Sequence, residues 1–179
     1  GCAFKREMAA FIESLRRDIP LAFDSKKYLD AKAKIVEDTE SKKKSLFHDL
    51  TELSGARGFG FEETPVGFGL APLKDGRPMT DEQMEALTEE EQQELTERRK
   101  PLEGEIREFR VRIHSIEKEA EHQLRLLDHQ LVANLLEGRY ETMRRAYPDL
   151  PAISGYLERV RHDVIHHYKD FLPHEGPAL

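Results

Sequence analysis

The sequence predicts a mainly α protein, an elongated antiparallel helical hairpin or coiled coil with a small β-hairpin subdomain. Charged residues make up 35% of the 179 residues and apolar residues 38%, and Trp is absent, a composition typical of solvated helices. Apolar residues recur at helical and heptad spacing over most of the chain, whereas Phe, Gly and Pro concentrate in residues 55–79. We therefore expect a single helical domain over residues 1–179.

Composition also excludes several classes of protein. Cys2 is the single cysteine, which rules out an internal disulfide framework and a cysteine-based zinc site. No apolar run reaches the roughly 18 residues that a membrane-spanning helix needs. The 35 acidic residues outnumber the 28 basic ones and give a formal net charge of −7, which argues against a general nucleic-acid-binding surface. We expect a cytoplasmic protein and, because the chain does not begin with Met, a fragment of a larger one.

The N-terminal region, residues 4–54, is predicted to form two helices. The apolar face of the first helix consists of Phe4, Met8, Phe11, Ile12, Leu15 and Ile19. Pro20 follows this face, so we expect the first helix to cover residues 4–18. The second helix is predicted over roughly residues 26–54, with an almost entirely charged middle. Its apolar residues are Tyr28, Ala31, Ile35, Leu46, Leu50 and Leu53.

Residues 55–79 are predicted to form a β-hairpin and a further turn. Apolar residues alternate on both sides of a turn-forming stretch, which gives the hairpin one aromatic face. These residues are Phe59 and Phe61 before residues 64–67, and Phe68 and Leu70 after them. Two strands alone are marginally stable in water, so this face needs a neighbour to cover it. The further turn is expected at residues 74–78.

Residues 80–147 are predicted to contain a short helix followed by a long coiled-coil helix. Thr80 and Thr88 each begin a capping box, so two helix starts lie close together. The apolar residues of the long helix keep heptad spacing with one four-residue stutter near Ala120. They are Leu95, Leu102, Ile106, Phe109, Ile113, Ile116, Ala120, Leu124, Leu127 and Leu131. The helix over residues 26–54 is its expected antiparallel partner.

A last amphipathic helix is predicted over residues 151–172. Its apolar face consists of Ile153, Leu157, Val160, Val164 and Tyr168. The residues from Pro173 to Leu179 are expected to form a linker.

No catalytic or cofactor-binding residue can be assigned from the sequence. The phosphate-binding loop, the dinucleotide fingerprint and the nucleophile elbow of serine hydrolases are all absent. Residues 57–61 (RGFGF) match the start of the RNA-binding RNP1 signature, but Glu62 and Thr64 stand where an aliphatic and an aromatic residue belong. We therefore expect the Phe side chains of this segment to pack inward and not to stack on RNA bases.

His162 and His166 lie one helical turn apart and resemble the zinc-protease pattern H-E-x-x-H. Asp163 replaces the Glu that would act as general base, and a third ligand would have to come from His167 or His174. The alternative is a solvated helix face. We assign no metal ligand, and a metal-dependent hydrolase stays a hypothesis that metal analysis of the purified protein tests.

The order of segments resembles the helical domain of Lon-like, or Lon-related, ATP-dependent proteases. The likeness rests on Ala22-Phe23-Asp24-Ser25 with Tyr28, on GFGFEETPVGFGLAPLKDGRPMTDEQMEALTEEEQ, and on YPDLPAISGYLERVRHDVIHHYKDF. It covers the chain from about Phe4 to Leu172. In that family the helical domain resembles an insertion that leaves and rejoins an AAA+ module.

The resemblance implies a part of a larger enzyme. The parent is expected to be a homo-hexameric serine endopeptidase that binds ATP and Mg and cleaves polypeptides with a Ser-Lys dyad outside this segment. No catalytic or nucleotide-binding residue of the family falls on this chain. The implied partners are polypeptide substrates and neighbouring subunits, without a membrane or a nucleic acid.

Two alternatives are open at this point. The hairpin residues Phe59, Phe61, Phe68 and Leu70 are either the small core of the hairpin or an exposed patch that contacts substrates or partners. The whole chain is either a substrate-recognition, gating or ring-assembly domain of such a protease, or a free-standing coiled-coil adaptor or scaffold. The neighbouring sequence distinguishes the last two, because the protease hypothesis requires a Walker-type loop upstream and a Ser-Lys protease domain downstream.

Overall fold

A computed structural model of the protein describes residues 2–173. Within these residues the helices are α1 (Cys2–Phe23), α2 (Lys26–Ala56), α3 (Asp81–Glu85), α4 (Glu89–Ala146) and α5 (Pro151–His166). The strands are β1 (Phe59–Thr64), β2 (Gly67–Lys74) and β3 (Arg77–Pro78). A mainly α fold with a small β-hairpin is therefore confirmed. The expected C-terminal linker and His174 lie outside the described residues.

Helix α1 continues past Pro20, and the prediction that it ends before this residue is wrong. Proline lacks the N–H that would bond to the carbonyl four residues earlier. However, Ile19 is 0% exposed and Phe23 packs against the same core cluster, so burial on both sides outweighs the lost hydrogen bond. The break comes at Ser25, whose hydroxyl accepts a hydrogen bond from the Tyr28 amide at 3.4 Å.

Both predicted capping boxes form. The Thr80 hydroxyl accepts a hydrogen bond from the Gln83 amide at 3.2 Å, and the Gln83 side chain accepts one from the Thr80 amide at 3.0 Å. Thr88 and Glu91 make the same reciprocal bonds at 3.2 and 2.8 Å. Helix α4 then runs unbroken for 58 residues through Pro101. None of the described helices, α4 included, combines the length and the apolar character that crossing a membrane requires.

Every predicted seam residue of α4 is buried or half-buried. Helix α2 contacts α4 in antiparallel order within residues 37–120. The Phe47 ring lies 6.5 Å from the Phe109 ring, and Lys43 Nζ lies 3.1 Å from Glu117 Oε1. The pairing of the two helices therefore follows the predicted direction.

The C-terminal helix is shorter than the predicted range of residues 151–172. Helix α5 ends at His166, and a 3-10 turn follows over Tyr168–Phe171. Because such a turn has about 3.0 residues per turn and an α-helix about 3.6, the change redirects the side chains that follow. Tyr168 is 3% exposed, and its ring stacks on that of Phe23 at 5.4 Å. Burial of this tyrosine accounts for the departure from the α-helix.

The sheet is antiparallel with strand order β1-β2-β3. The third strand was not predicted and is two residues long. The turn that leads into it was predicted, and its central residues Asp75 and Gly76 have φ values of 53° and 77°. Positive φ at both central positions is the geometry of a type I′ turn, whose twist matches that of paired strands.

The chain divides into two compact units. The first unit contains the described residues up to Val36 and those from Glu121 onward, and the second contains Glu37–Ala120. The buried apolar residues of the first unit form clusters made of Leu15, Ile19, Val132, Leu136, Val164 and Tyr168, and of Met8, Tyr140, Met143 and Leu157. In the second unit Leu50, Phe61, Ile106 and Phe109 form a further buried cluster. Each unit thus has a core of its own.

In the first unit one carboxylate joins distant parts of the chain. The hydroxyls of Tyr28 and Tyr168 both donate hydrogen bonds to Asp128. The two tyrosines are 7% and 3% exposed. Burial, together with the hydrogen bonds to the carboxylate, raises the pKa of both tyrosine hydroxyls above the ordinary value of 10.0. The folded state therefore favours the neutral, protonated form of both tyrosines.

Candidate functional site

The second unit contains four neighbouring phenylalanine rings, here called the aromatic cluster: Phe47, Phe61, Phe68 and Phe109. The Phe61 centroid lies 5.0 Å from that of Phe47, 5.4 Å from that of Phe68 and 5.3 Å from that of Phe109. Phe68 and Phe109 meet edge to face at 5.0 Å and 89°. Such pairs contribute about 0.5–1.5 kcal/mol each beyond the burial of their area. The cluster therefore holds the hairpin against two helices.

Strand alternation places two of these rings on the same face of the hairpin. Phe61 lies opposite Leu70, and Phe68 lies opposite Glu63, in the register of β1 and β2. Side chains directly opposite each other in an antiparallel pair project to one side of the sheet. The predicted aromatic face is thus present, and helices α2 and α4 cover it.

Phe47 is not among the apolar residues predicted for α2. Phe47 lies three positions before Leu50, which is 5% exposed. This helical spacing places both residues on the same, buried face of α2. Leu46, the neighbour of Phe47, also fits the apolar pattern and is the residue predicted at this position of the helix. Phe109 was predicted as a seam residue, but its contact with the hairpin joins residues about 40 positions apart, which no local pattern reports.

An open groove of about 670 Å³ lies between the hairpin, α2 and α4, and is called here the hairpin groove. Its apolar lining consists of Phe47, Phe68, Phe109 and Ile113. Its polar and charged lining consists of Glu40, Lys43, Lys44, His48, Thr51, Glu63 and Glu117. Ligand sites in proteins have volumes of roughly 300–1,000 Å³ and mostly apolar linings with a few polar groups. The hairpin groove has both properties.

One lysine in the groove has its charge compensated. Lys43 Nζ lies 3.1 Å from Glu117 Oε1 and 3.6 Å from Glu40 Oε1. The hydrogen bond to Glu117 is the main cause that raises the pKa of the Lys43 ammonium above its ordinary value. This lysine is therefore engaged with α4 and with its own helix.

Three other ionisable side chains of the groove have no such partner. Lys44 and His48 are exposed on α2, four positions apart, and Glu63 is exposed on β1. Among residues 2–173, none of these three side chains makes a hydrogen bond or an ion pair within the chain. The groove therefore has a basic edge on α2 and an acidic residue on the hairpin.

The four predicted hairpin residues differ in burial and in the cavity that they line. Phe68 is half-buried and lines the hairpin groove, whereas Leu70 lies outside the groove and is half-buried against the buried cluster that contains Phe61 and Phe109. Phe61 is 6% exposed and Phe59 is 1% exposed. Phe59 lines a smaller cavity of about 270 Å³ with Met84 and other residues around α3 and the start of α4. Since Phe59 and Phe61 are buried, their rings are unavailable for stacking on RNA bases.

The predicted histidine pair lies on the exposed surface of α5 in the first unit. The rings of His162 and His166 are stacked with centroids 3.9 Å apart, and Nδ1 of His166 lies 2.8 Å from the carbonyl oxygen of His162. His167 turns to Asp163, and His129 of α4, which was not considered as a ligand, lies 5.4 Å from the His166 ring. Among the described residues, no group of three or more His, Cys, Asp or Glu side chains is arranged to hold a metal ion. The metal-dependent hydrolase stays a hypothesis.

No model of a known protein family matches this chain, and no curated protein matches it either.

Proposed function

We propose that the chain is a non-catalytic helical domain that binds polypeptide substrates for a Lon-like ATP-dependent serine protease with an AAA+ module. The hairpin groove carries this proposal. It presents the half-buried rings of Phe47 and Phe68 together with Ile113 beside charged side chains. The order of the helical and Gly/Phe segments, which resembles that of the Lon-like helical domain, supports it independently.

A half-buried aromatic lining favours unfolded over folded polypeptides as ligands. Folded proteins keep most of their large apolar side chains inside, whereas unfolded chains expose them. An apolar side chain that enters the groove removes its own surface and that of the Phe68 ring from water, at about 25 cal/mol per Å². The groove therefore favours unfolded polypeptides, which are the form of the substrate that such a protease must recognise.

The catalytic and nucleotide-binding parts of the proposed protease lie outside this chain. The Ser-Lys dyad and the sites for ATP and Mg belong to the parent protein, in which this domain also contacts neighbouring subunits of a homo-hexameric ring. Gating and ring assembly are further roles that a helical domain in this position would share. Sequencing the reading frame on both sides of the segment tests this placement.

The groove is tested with a matched pair of substitutions on one strand. Phe68→Ala removes a ring that lines the groove, and Leu70→Ala removes a half-buried side chain of the same strand that lies outside the groove. We expect Phe68→Ala to weaken binding of a permanently unfolded, fluorescently labelled polypeptide by about tenfold, and Leu70→Ala by less than about twofold. Fluorescence anisotropy gives the affinities, and circular dichroism shows whether both variants keep their helices. Equal affinities, or no binding by the unsubstituted chain, would reject the proposal.

The second candidate is a free-standing coiled-coil adaptor or scaffold. The observation that favours it is the antiparallel pairing of α2 and α4, together with exposed apolar side chains such as Val111, which is 69% exposed. An adaptor would bind a folded partner through such outer helix faces. In that case Val111→Glu, and not Phe68→Ala, abolishes partner binding.

A further inference from the structure

Three histidines of the first unit lie close together and are called here the histidine group: His129, His162 and His166. His162 and His166 lie one turn apart on α5, and the centroids of their stacked rings are 3.9 Å apart. The ring of His129 on α4 lies 5.4 Å from that of His166. Sequence spacing points to His167 or His174 as a third member, whereas the fold brings His129 to the pair. Imidazoles from two different helices therefore meet in this group.

The nitrogen atoms of the histidine group are available to a ligand. Nδ1 of His166 lies 2.8 Å from the carbonyl oxygen of His162. Because a carbonyl only accepts hydrogen bonds, Nδ1 carries the proton and Nε2 of the neutral ring has a free lone pair. Metal-binding histidines commonly have this arrangement, in which the second ring nitrogen bonds to a backbone carbonyl. Among residues 2–173, the ring nitrogens of His129 and His162 make no hydrogen bond or ion pair.

The members of the histidine group differ in their freedom to move. The half-buried His129 ring meets the Tyr168 ring edge to face at 5.8 Å and 80°. Tyr168 is 3% exposed and donates a hydrogen bond to Asp128, so it holds the His129 ring in place. The His162 side chain is exposed and makes no such bond, and exposed side chains change rotamer within nanoseconds. The group thus combines a fixed ring with an adjustable one.

The distances between the rings can be compared with those in a metal site. Imidazole nitrogens lie about 2.0–2.1 Å from zinc, so two histidine rings on a tetrahedral ion have centroids roughly 5 Å apart. The separation of 5.4 Å between His129 and His166 is close to this value. The 3.9 Å between His162 and His166 is shorter, so the described side-chain positions do not hold an ion as they stand. Rotation of the exposed His162 ring away from the stack increases this separation.

We propose that His129, His162 and His166 together bind one divalent late first-row transition-metal ion, with water in the fourth position. Imidazole nitrogen suits zinc, nickel and copper, whereas magnesium prefers oxygen ligands. Because the ligands come from α4 and α5, the ion joins two helices and stabilises the folded state of the first unit. This site goes beyond the proposed function, which depends on a groove in the second unit.

Isothermal titration calorimetry of the chain with Zn²⁺, Cu²⁺ and Mg²⁺ tests the site. We expect one Zn²⁺ or Cu²⁺ ion per chain, tighter binding of Cu²⁺, and no binding of Mg²⁺. His162→Ala and His166→Ala should each weaken Zn²⁺ binding by at least about tenfold, since loss of even an outer partner of a ligand costs about 10–100-fold. His167→Ala is the control on the same segment, because His167 Nδ1 lies 3.0 Å from the Asp163 carboxylate, and it should keep the affinity.

The decisive variant is His129→Phe, which keeps a ring against Tyr168 and removes both nitrogens. We expect it to weaken Zn²⁺ binding by at least about tenfold. Zn²⁺ should raise the midpoint of thermal unfolding of the unsubstituted chain by more than that of this variant. His122→Ala removes an exposed histidine from the same helix and should leave both measurements unchanged.

Two outcomes would overturn the proposal. Unchanged Zn²⁺ affinity in His129→Phe, with circular dichroism showing that its helices are retained, would reduce the site to a histidine pair on one helix. Absence of Zn²⁺ binding by the unsubstituted chain would exclude the site altogether. Neither outcome affects the hairpin groove, whose test with Phe68→Ala uses polypeptide binding without added metal.

Discussion

At the residue scale, Ser54 shows how the packing of the second unit constrains a polar side chain. It lies near the end of α2 and is 0% exposed. Its hydroxyl has no hydrogen-bond partner among the described residues. A buried hydroxyl without a partner loses its hydrogen bonds to water, at a cost of about 1–3 kcal/mol. The residue therefore tolerates removal of its oxygen better than most buried polar groups.

We expect Ser54→Ala to raise the free energy of unfolding. Ser45→Ala is the matched control, because Ser45 is exposed on the same helix and both substitutions gain the same helix propensity. Urea denaturation should show Ser54→Ala to be more stable than Ser45→Ala by about 1 kcal/mol. A lower stability of Ser54→Ala would mean that the hydroxyl finds a partner in solution.

At the element scale, helix ends depend on short-range hydrogen bonds. The cap at Thr88 satisfies the Glu91 amide, which has no partner within α4. Glu89, Glu90 and Glu91 in the first turn also interact favourably with the positive end of the helix dipole. The start of α4 is therefore specified by a few adjacent residues.

Thr88→Ala is expected to lower the free energy of unfolding by about 1 kcal/mol. The control is Thr96→Ala, which removes a threonine hydroxyl from the interior of the same helix, where alanine has the higher helix propensity. Chemical denaturation gives the stabilities, and hydrogen exchange of the Glu91 amide reports the cap directly. Equal stability and equal exchange in the two variants would contradict a capping role for Thr88.

At the scale of the whole molecule, each of the two units depends on contacts between residues far apart in the chain. In the first unit Asp128 accepts hydrogen bonds from tyrosines 100 and 40 positions away. Arg139 similarly joins α4 to Asp18 of α1, and its hydrogen bond is the main cause that holds the pKa of the Asp18 carboxyl below its ordinary value of 3.8. Stability that comes from Asp18 is present above pH 3.8 and is lost as the pH falls through the lower pKa of the folded state.

The tyrosines give a prediction at alkaline pH. Because folding raises the pKa of Tyr28 and Tyr168, their contribution to stability is fully present below pH 10 and decreases as the pH rises above the value of the unfolded chain. We expect the free energy of unfolding to fall above about pH 10. The double variant Tyr28→Phe, Tyr168→Phe should be less stable at pH 7 and should show a smaller fall.

Urea denaturation between pH 7 and pH 11 checks this expectation. Tyr156→Phe is the control, because Tyr156 is 43% exposed. It should keep the alkaline loss of stability. The same alkaline slope in the double variant would show that other groups control the response.

Local patterns predicted much of the fold but little of the candidate site. Alternation identified the aromatic face of the hairpin, and Phe68 in it does line the groove. The same pattern could not separate Phe68 from Phe59, which lies in another cavity. Nor could it supply Phe47, because strand alternation and helical spacing describe one element at a time and do not state which elements meet.

The physical reason is the range over which each interaction acts. Caps, the type I′ turn and the heptad seam arise between residues that are adjacent or a few positions apart, so the amino-acid sequence is sufficient to specify them. The continuation of α1 past Pro20 and the 3-10 turn at Tyr168 depend on burial against distant side chains, which outweighs local preference. The meeting of Phe47 with Phe61 and Phe109, which forms the groove, depends likewise on packing and becomes visible in the folded chain alone.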